Sequence, residues 1–295
     1  MIPRRTRWVL NPLTLLLTAL QAAGFDPALH FERSPYGLLF TEIEVAGEPV
    51  PAMIDFGDPY VIQLADGWAA ERDLALDSSG KTAMDTHGNP MELLEGRAGP
   101  VRIGPVVLAE AVFGSIPGEI ERVAEQVGTP FRAAVGWGFF GERAFVLDYA
   151  NGRIAFREDD CAGFDAEAAV DRIDTPTHLV TEIRIADQPV RVLVDTGSPI
   201  DVIDADTLQR VLPAGGRRVL IEHSAGTFPG VEVDVAFGAV ERPVQFEAGD
   251  LSVLEPLGAE AILGGTFLRQ VELCHAPERG QVRIRQRDAG ALPSS

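Results

Sequence analysis

Short runs of apolar and β-branched residues, broken by Gly, Pro, Asn and Asp, recur along the whole chain. Runs of this length predict strands rather than long helices. Residues 38–45 and 50–54, joined across Gly47, predict a hairpin. Asp55-Phe56-Gly57-Asp58 follows, and Tyr60-Val-Ile predicts the next strand. Residues 65–74 have helical spacing, with Asp66 placed to cap them. His87-Gly88-Asn89-Pro90 is a turn between two further strands, and 101–103 and 106–113 predict two more. Residues 133–136 open an apolar, Gly-rich run. Two strands then flank Asn151-Gly152, the dipeptide of a tight hairpin.

The same order returns in the second part of the chain. A hairpin leads through the Val-rich run 192–194 into Asp195-Thr196-Gly197-Ser198, then a strand through Ile203 and a helix over 206–212. Strands follow at 219–222, 231–237, 244–247, 261–264, 271–273 and 282–284. Residues 41–59 lie over 181–199 without a gap, at a constant offset of 140. Identical pairs include Thr41/Thr181, Pro49/Pro189, Asp55/Asp195, Gly57/Gly197 and Pro59/Pro199. A repeat this long exceeds a solenoid unit and reads as a duplicated half. Two such halves can bring Asp55 and Asp195 together across a pseudo-two-fold axis. The expected division is a first half over 25–160, an acidic linker over 161–178 and a second half over 179–287. A flexible tail over 288–295 completes the chain.

Composition narrows the picture. The chain has 295 residues, 46% of them hydrophobic, which supports a large core. A formal net charge of −19 argues against nucleic acid and anionic membrane surfaces as partners. Arg4, Arg5 and Arg7 precede a short apolar stretch interrupted by Asn11 and Pro12, then small residues to Gly24. That is the order of a secretory signal peptide over 1–24, with an uncleaved anchor as the alternative. A periplasmic or secreted location follows. Cys161 and Cys274 are the only cysteines, and in an exported chain they either pair or stay free. No metal-ligand spacing occurs, and no cofactor is expected.

Leu193-Val-Asp195-Thr196-Gly197-Ser198, followed by Ile262-Leu263-Gly264, resembles the motif of pepsin–retropepsin aspartic peptidases. Ile54-Asp55-Phe56-Gly57, followed by Ala134-Val135-Gly136, resembles it more loosely. The resemblance covers nearly all of the chain beyond the signal peptide. It implies an all-β, bilobal pepsin/retropepsin-like fold and an aspartic endopeptidase with Asp55 and Asp195 as its catalytic pair. It also implies an extended peptide or protein substrate. A monomer is expected, since both halves lie on one chain. Two carboxylates held close cannot both ionise, so they share a proton, one activating water and the other protonating the scissile carbonyl. The flap over the cleft is expected at 84–93, with His87 and Gly88 at its tip; a solvated turn is the plainer role for His87.

The first motif departs from the pattern at two positions. In the family the motif threonine bonds across to the other half. Thr196 can do this and Phe56 cannot, so Phe56 must find an apolar pocket or distort its loop. Asp58 stands where the second half has Ser198, and either adds a third carboxylate to the pair or caps a local turn. The alternative function is an impaired pseudopeptidase that binds peptides or acts as a scaffold. Gly136-Trp-Gly-Phe-Phe-Gly141 matches a dinucleotide fingerprint, but a strand and an Asn-Gly hairpin follow it rather than a βαβ unit.

Overall fold

The Val-rich run before each aspartate becomes a buried strand. Glu48–Asp55 and Gln188–Val194 each form a hairpin with the strand before them, Leu39–Val45 and Val180–Ile185. On its other side each takes a parallel partner from far along its own half, Ala133–Gly136 or Ala261–Leu263. These central strands are buried on both faces, hence their continuous apolar runs. The computed structural model describes residues 27–286, except 85–89, 159–160, 166–168, 174, 176, 213–214 and 224–225. The stretch expected as a signal peptide, the expected tail, and His87 and Gly88, expected at a flap tip, lie outside the described residues.

The chain is all-β with short helices. Strands of the first half build a ten-stranded sheet with Leu76–Met84 at one edge and Val106–Leu108 at the other. The second half contributes six strands that close into a barrel: Val180–Ile185, Gln188–Val194, Ala261–Leu263, Asp201–Asp204, Val240–Gly249 and Gly226–Phe237. An arm of the same sheet joins the halves. In it Phe145–Asp148 of the first half pairs antiparallel with Val271–Ala276 of the second. The stretch expected as a linker supplies a strand, Ala169–Ile173, between Gln281–Gln286 and Val180–Ile185. One continuous hydrophobic core runs through both halves, from Leu29 to Ile284.

Cys161 and Cys274 form a disulfide, buried beside Val146, Phe164 and Ala276. It ties the start of the connecting stretch to the strand that carries the first half's pairing.

Several elements differ from expectation. The helix expected over 65–74 is Asp66–Ala70, and Asp66 does not cap it. Its carboxylate instead accepts the Gly118 N–H at 2.8 Å. In the second half Asp204 caps Ala205–Val211, accepting from the N–H groups of Asp206 and Thr207. The run 106–113 is two strands, Val106–Leu108 and Ala111–Ser115. Among the described residues three α-helices were not anticipated, Glu119–Val127, Trp137–Phe140 and Gly265–Leu268. The first hairpin expected to form a flap has stems Leu76–Met84 and Pro90–Ala98. A second long hairpin, Arg217–His223 with Gly226–Phe237, occupies the equivalent place in the other half.

Candidate active site

Both motif aspartates end or follow their strands at the junction of the two halves. Both residues are half-buried. The Gly57 N–H donates to Asp55 Oδ1 at 2.8 Å and to Asp195 Oδ1 at 3.1 Å, so one amide touches both carboxyl groups. The Gly197 N–H donates to Asp195 Oδ1 at 2.8 Å. The motif glycines are required by close approach. A Cβ on Gly57 would lie 2.9 Å from Asp195 Oδ1, and one on Gly197 only 2.4 Å from Asp55 Oδ1. Each glycine thus clears space for the opposite half's carboxyl group.

The second pair of glycines works one layer behind. A Cβ on Gly136 would meet the carbonyls of Tyr60 and Asp58 at 2.3 and 2.6 Å. One on Gly264 would meet those of Ile200 and Ser198 at 2.2 and 2.6 Å. The carbonyls met in the two halves stand at the 140-residue offset of the repeat, Asp58 with Ser198 and Tyr60 with Ile200. The returning strand therefore presses its glycine against the loop after each aspartate. The loops are also bonded to it: Trp137 N–H donates to Asp58 O at 2.6 Å, and Gly265 N–H to Ser198 O at 2.8 Å.

Across the junction, Thr196 is buried and makes two bonds into the first loop. Its Oγ1 accepts the Phe56 N–H at 3.0 Å and donates to Ile54 O at 2.8 Å. Phe56 returns nothing, and its ring finds a pocket instead. It is fully buried against Trp137, Phe140 and Phe145, with centroids 4.9–5.6 Å apart. Its backbone keeps the Thr196 bond, so the loop is not distorted. His275 packs on Trp137 and Phe145 at the far side of this cluster.

Asp58 fills both of the roles open to it. Its Oδ1 caps the local turn by accepting the Tyr60 N–H at 2.8 Å, while Ser198 in the other half donates to Ile200 O. It is also only 5% exposed. Burial pushes its carboxyl up to about 7, against the Tyr60 N–H that favours its charge, and the negative charge of Asp195 adds to the rise. Tyr60 in turn donates its hydroxyl to Glu95 on strand Pro90–Ala98 at 2.6 Å.

The pair itself is asymmetric. Burial, then the charge of Asp195 and that of Asp58, raises Asp55 well above the ordinary carboxylate range. Burial raises Asp195 too, but the Gly197 N–H, the Asp55 side chain and the Gly57 N–H pull it back. Asp195 accepts two backbone N–H bonds and Asp55 one, an arrangement that favours negative charge on Asp195.

Two further residues belong to the site. His178, within the stretch expected as a linker, places Nε2 3.0 Å from Gly57 O. Asp201, fully buried, accepts the Gly264 N–H at 2.7 Å and the Phe267 N–H at 3.3 Å, and so holds the returning turn. Its Oδ2 has no hydrogen-bond partner among the described residues, and burial pushes it to about 8. Both lie just outside the 41–59/181–199 match; carrying its offset outward pairs His178 with Leu38 and Asp201 with Val61, a polar-for-apolar exchange in each case. Among the described residues no cluster of three or more His, Cys, Asp or Glu is placed to hold a metal. No family model matches the chain, and no curated protein matches it.

Proposed function

We propose that the chain is an exported aspartic endopeptidase with a pepsin–retropepsin-like, bilobal arrangement of its two halves. The observation that carries this reading is the single Gly57 amide donating to both Asp55 and Asp195 across the junction. Such an amide orients two carboxyl groups toward one proton and one bound water. Asp195, with two N–H donors, takes a proton from the attacking water as general base. Asp55, raised by burial and by its neighbours' charge, gives its proton to the oxygen of the scissile carbonyl. An extended peptide lying across the pair is the substrate that this chemistry needs. Phe56 does not weigh against activity, because its ring leaves the loop for an aromatic pocket while its N–H stays with Thr196.

The test is digestion of a library of extended peptides over acid and neutral pH by the parent chain and by Asp195→Asn. The exchange is nearly isosteric, so the variant should keep the parent's melting curve and lose hydrolysis. Cleavage that persists in Asp195→Asn would overturn the assignment.

A further inference from the structure

The side-chain bonds that the two motifs' second residues make across the junction are one-sided. In a symmetric pair of motifs each half would reach into the other's loop. Here Thr196 reaches the first loop, and Phe56 has no donor with which to reach back. The loop around Asp195 therefore lacks the reciprocal bond that a hydroxyl at position 56 would provide. The loop around Asp55 instead takes a further contact from the second half. His178 Nε2 lies 3.0 Å from the carbonyl of Gly57, the residue whose N–H touches both carboxyl groups.

The imidazole is itself held. Its Nδ1 lies 2.8 Å from Thr177 Oγ1, and its backbone carbonyl accepts the Thr175 hydroxyl at 2.6 Å. The tautomer with hydrogen on Nε2 satisfies both ring contacts: Nε2–H donates to Gly57 O, and Nδ1 accepts from the Thr177 hydroxyl. Burial lowers the ring's proton affinity and favours this neutral form. The matching residue of the first half is Leu38, which has no donor and is buried. Both asymmetries thus run the same way. The first half contributes Leu38 and Phe56 to packing, and the second contributes His178 and Thr196 to hydrogen bonding.

We propose that His178 is a positioning residue for the catalytic pair: its bond to the Gly57 carbonyl adds to the Thr196 bonds a third side-chain contact from the second half onto the Asp55 loop, and so holds Gly57 where its N–H lies between Asp55 and Asp195. This rests on the aspartic-peptidase reading of the same site. The Gly57 carbonyl and N–H belong to adjoining peptide planes that share the Gly57 Cα, so holding the oxygen narrows the range over which the N–H can move away from the two carboxyl groups. Displacing a catalytic group by about 1 Å can cost roughly 100-fold in rate.

The test uses His178→Ala and His178→Gln in the full chain. Glutamine carries its amide nitrogen about as far from the backbone as the imidazole Nε2, so it can restore the bond without the ring. In His178→Ala, kcat should fall roughly 10- to 100-fold with KM little changed. In His178→Gln most of kcat should return. A rise in KM with kcat intact would instead make His178 a peptide contact, and an equal loss in both variants would make the ring, not its N–H, the important part; either overturns the proposal. If the parent cleaves no peptide, the functional reading fails separately, and amide exchange at Gly57 decides the positioning. Faster Gly57 exchange in His178→Ala, restored in His178→Gln, supports it. Unchanged exchange in His178→Ala overturns it.

Discussion

From the motif alone, Phe56→Thr looks like a repair, because it would complete the pair of crossing hydroxyls. The packing reverses that expectation. The Phe56 ring is fully buried among three aromatic side chains, and threonine would leave a cavity lined by them. Removing a buried Phe costs about 3–5 kcal/mol, and one regained hydrogen bond returns about 0.5–1.5. Phe56→Thr should therefore lose about 2–4 kcal/mol in chemical denaturation; an unchanged or higher midpoint would mean that the aromatic pocket contributes little. Asp58 calls for a subtler exchange. Asp58→Asn keeps the oxygen that accepts the Tyr60 N–H and removes the charge. The Asp58 charge helps to raise Asp55, so without it Asp55 releases its proton at lower pH. The alkaline limb of the pH–rate profile should move toward acid. Superimposable profiles would show that Asp58 acts only as a turn cap, and an alkaline shift would mean the sign is wrong.

At the scale of elements, most strands were legible because their information is local. The hairpin around Asn151-Gly152, the paired hairpins before each aspartate and the helix after Asp195 all follow from apolar runs and turn residues. The repeat carried the larger inference, that two distant aspartates meet. What stayed hidden was set by distant contacts. Asp66 is well placed to cap its own helix, yet it serves Gly118, fifty-two residues on. Trp137–Phe140 and Gly265–Leu268 are single turns forced by the glycines that precede them against the aspartate loops, and four residues hold no helical period to read. The connecting stretch looked like a linker because its composition is polar. It is recruited as a strand by register with Gln281–Gln286 and by the Cys161–Cys274 link. His178 was hidden for the same reason. A lone histidine in a polar run carries no signal until the halves are folded together, although its pairing with Leu38 at the repeat's offset was a clue.

For the whole molecule, the buried ionisable groups set how stability depends on pH, and they pull in opposite directions. Burial raises Asp58 and Asp201 from 3.8 to about 7 and about 8. Each contributes stability that is complete below 3.8 and is lost as pH rises through its folded value. Asp55 and Asp195, also raised, act in the same sense. His275 acts in the other. Enclosed by aromatic rings with Nε2 toward Arg172, it is lowered by burial from 6.5 to about 4. Its contribution is complete above 6.5 and is lost as pH falls toward 4. Between about 4 and 6.5 the carboxyl groups oppose two imidazoles, since burial lowers His178 as well as His275; above 6.5 neither imidazole opposes them, and the fall steepens until Asp58 has titrated at about 7. A net charge of −19 adds self-repulsion on the same side. The melting temperature near pH 5 should therefore exceed that near pH 8 by roughly 5–10 °C. Asp201→Asn tests the cause, because the amide oxygen can still accept from Gly264 and Phe267 while no charge can form. Its melting temperature should decline less than the parent's between neutral and alkaline pH. A parent chain that melts higher near pH 8 than near pH 5 would show that exposed ion pairs, not these buried acids, govern its stability.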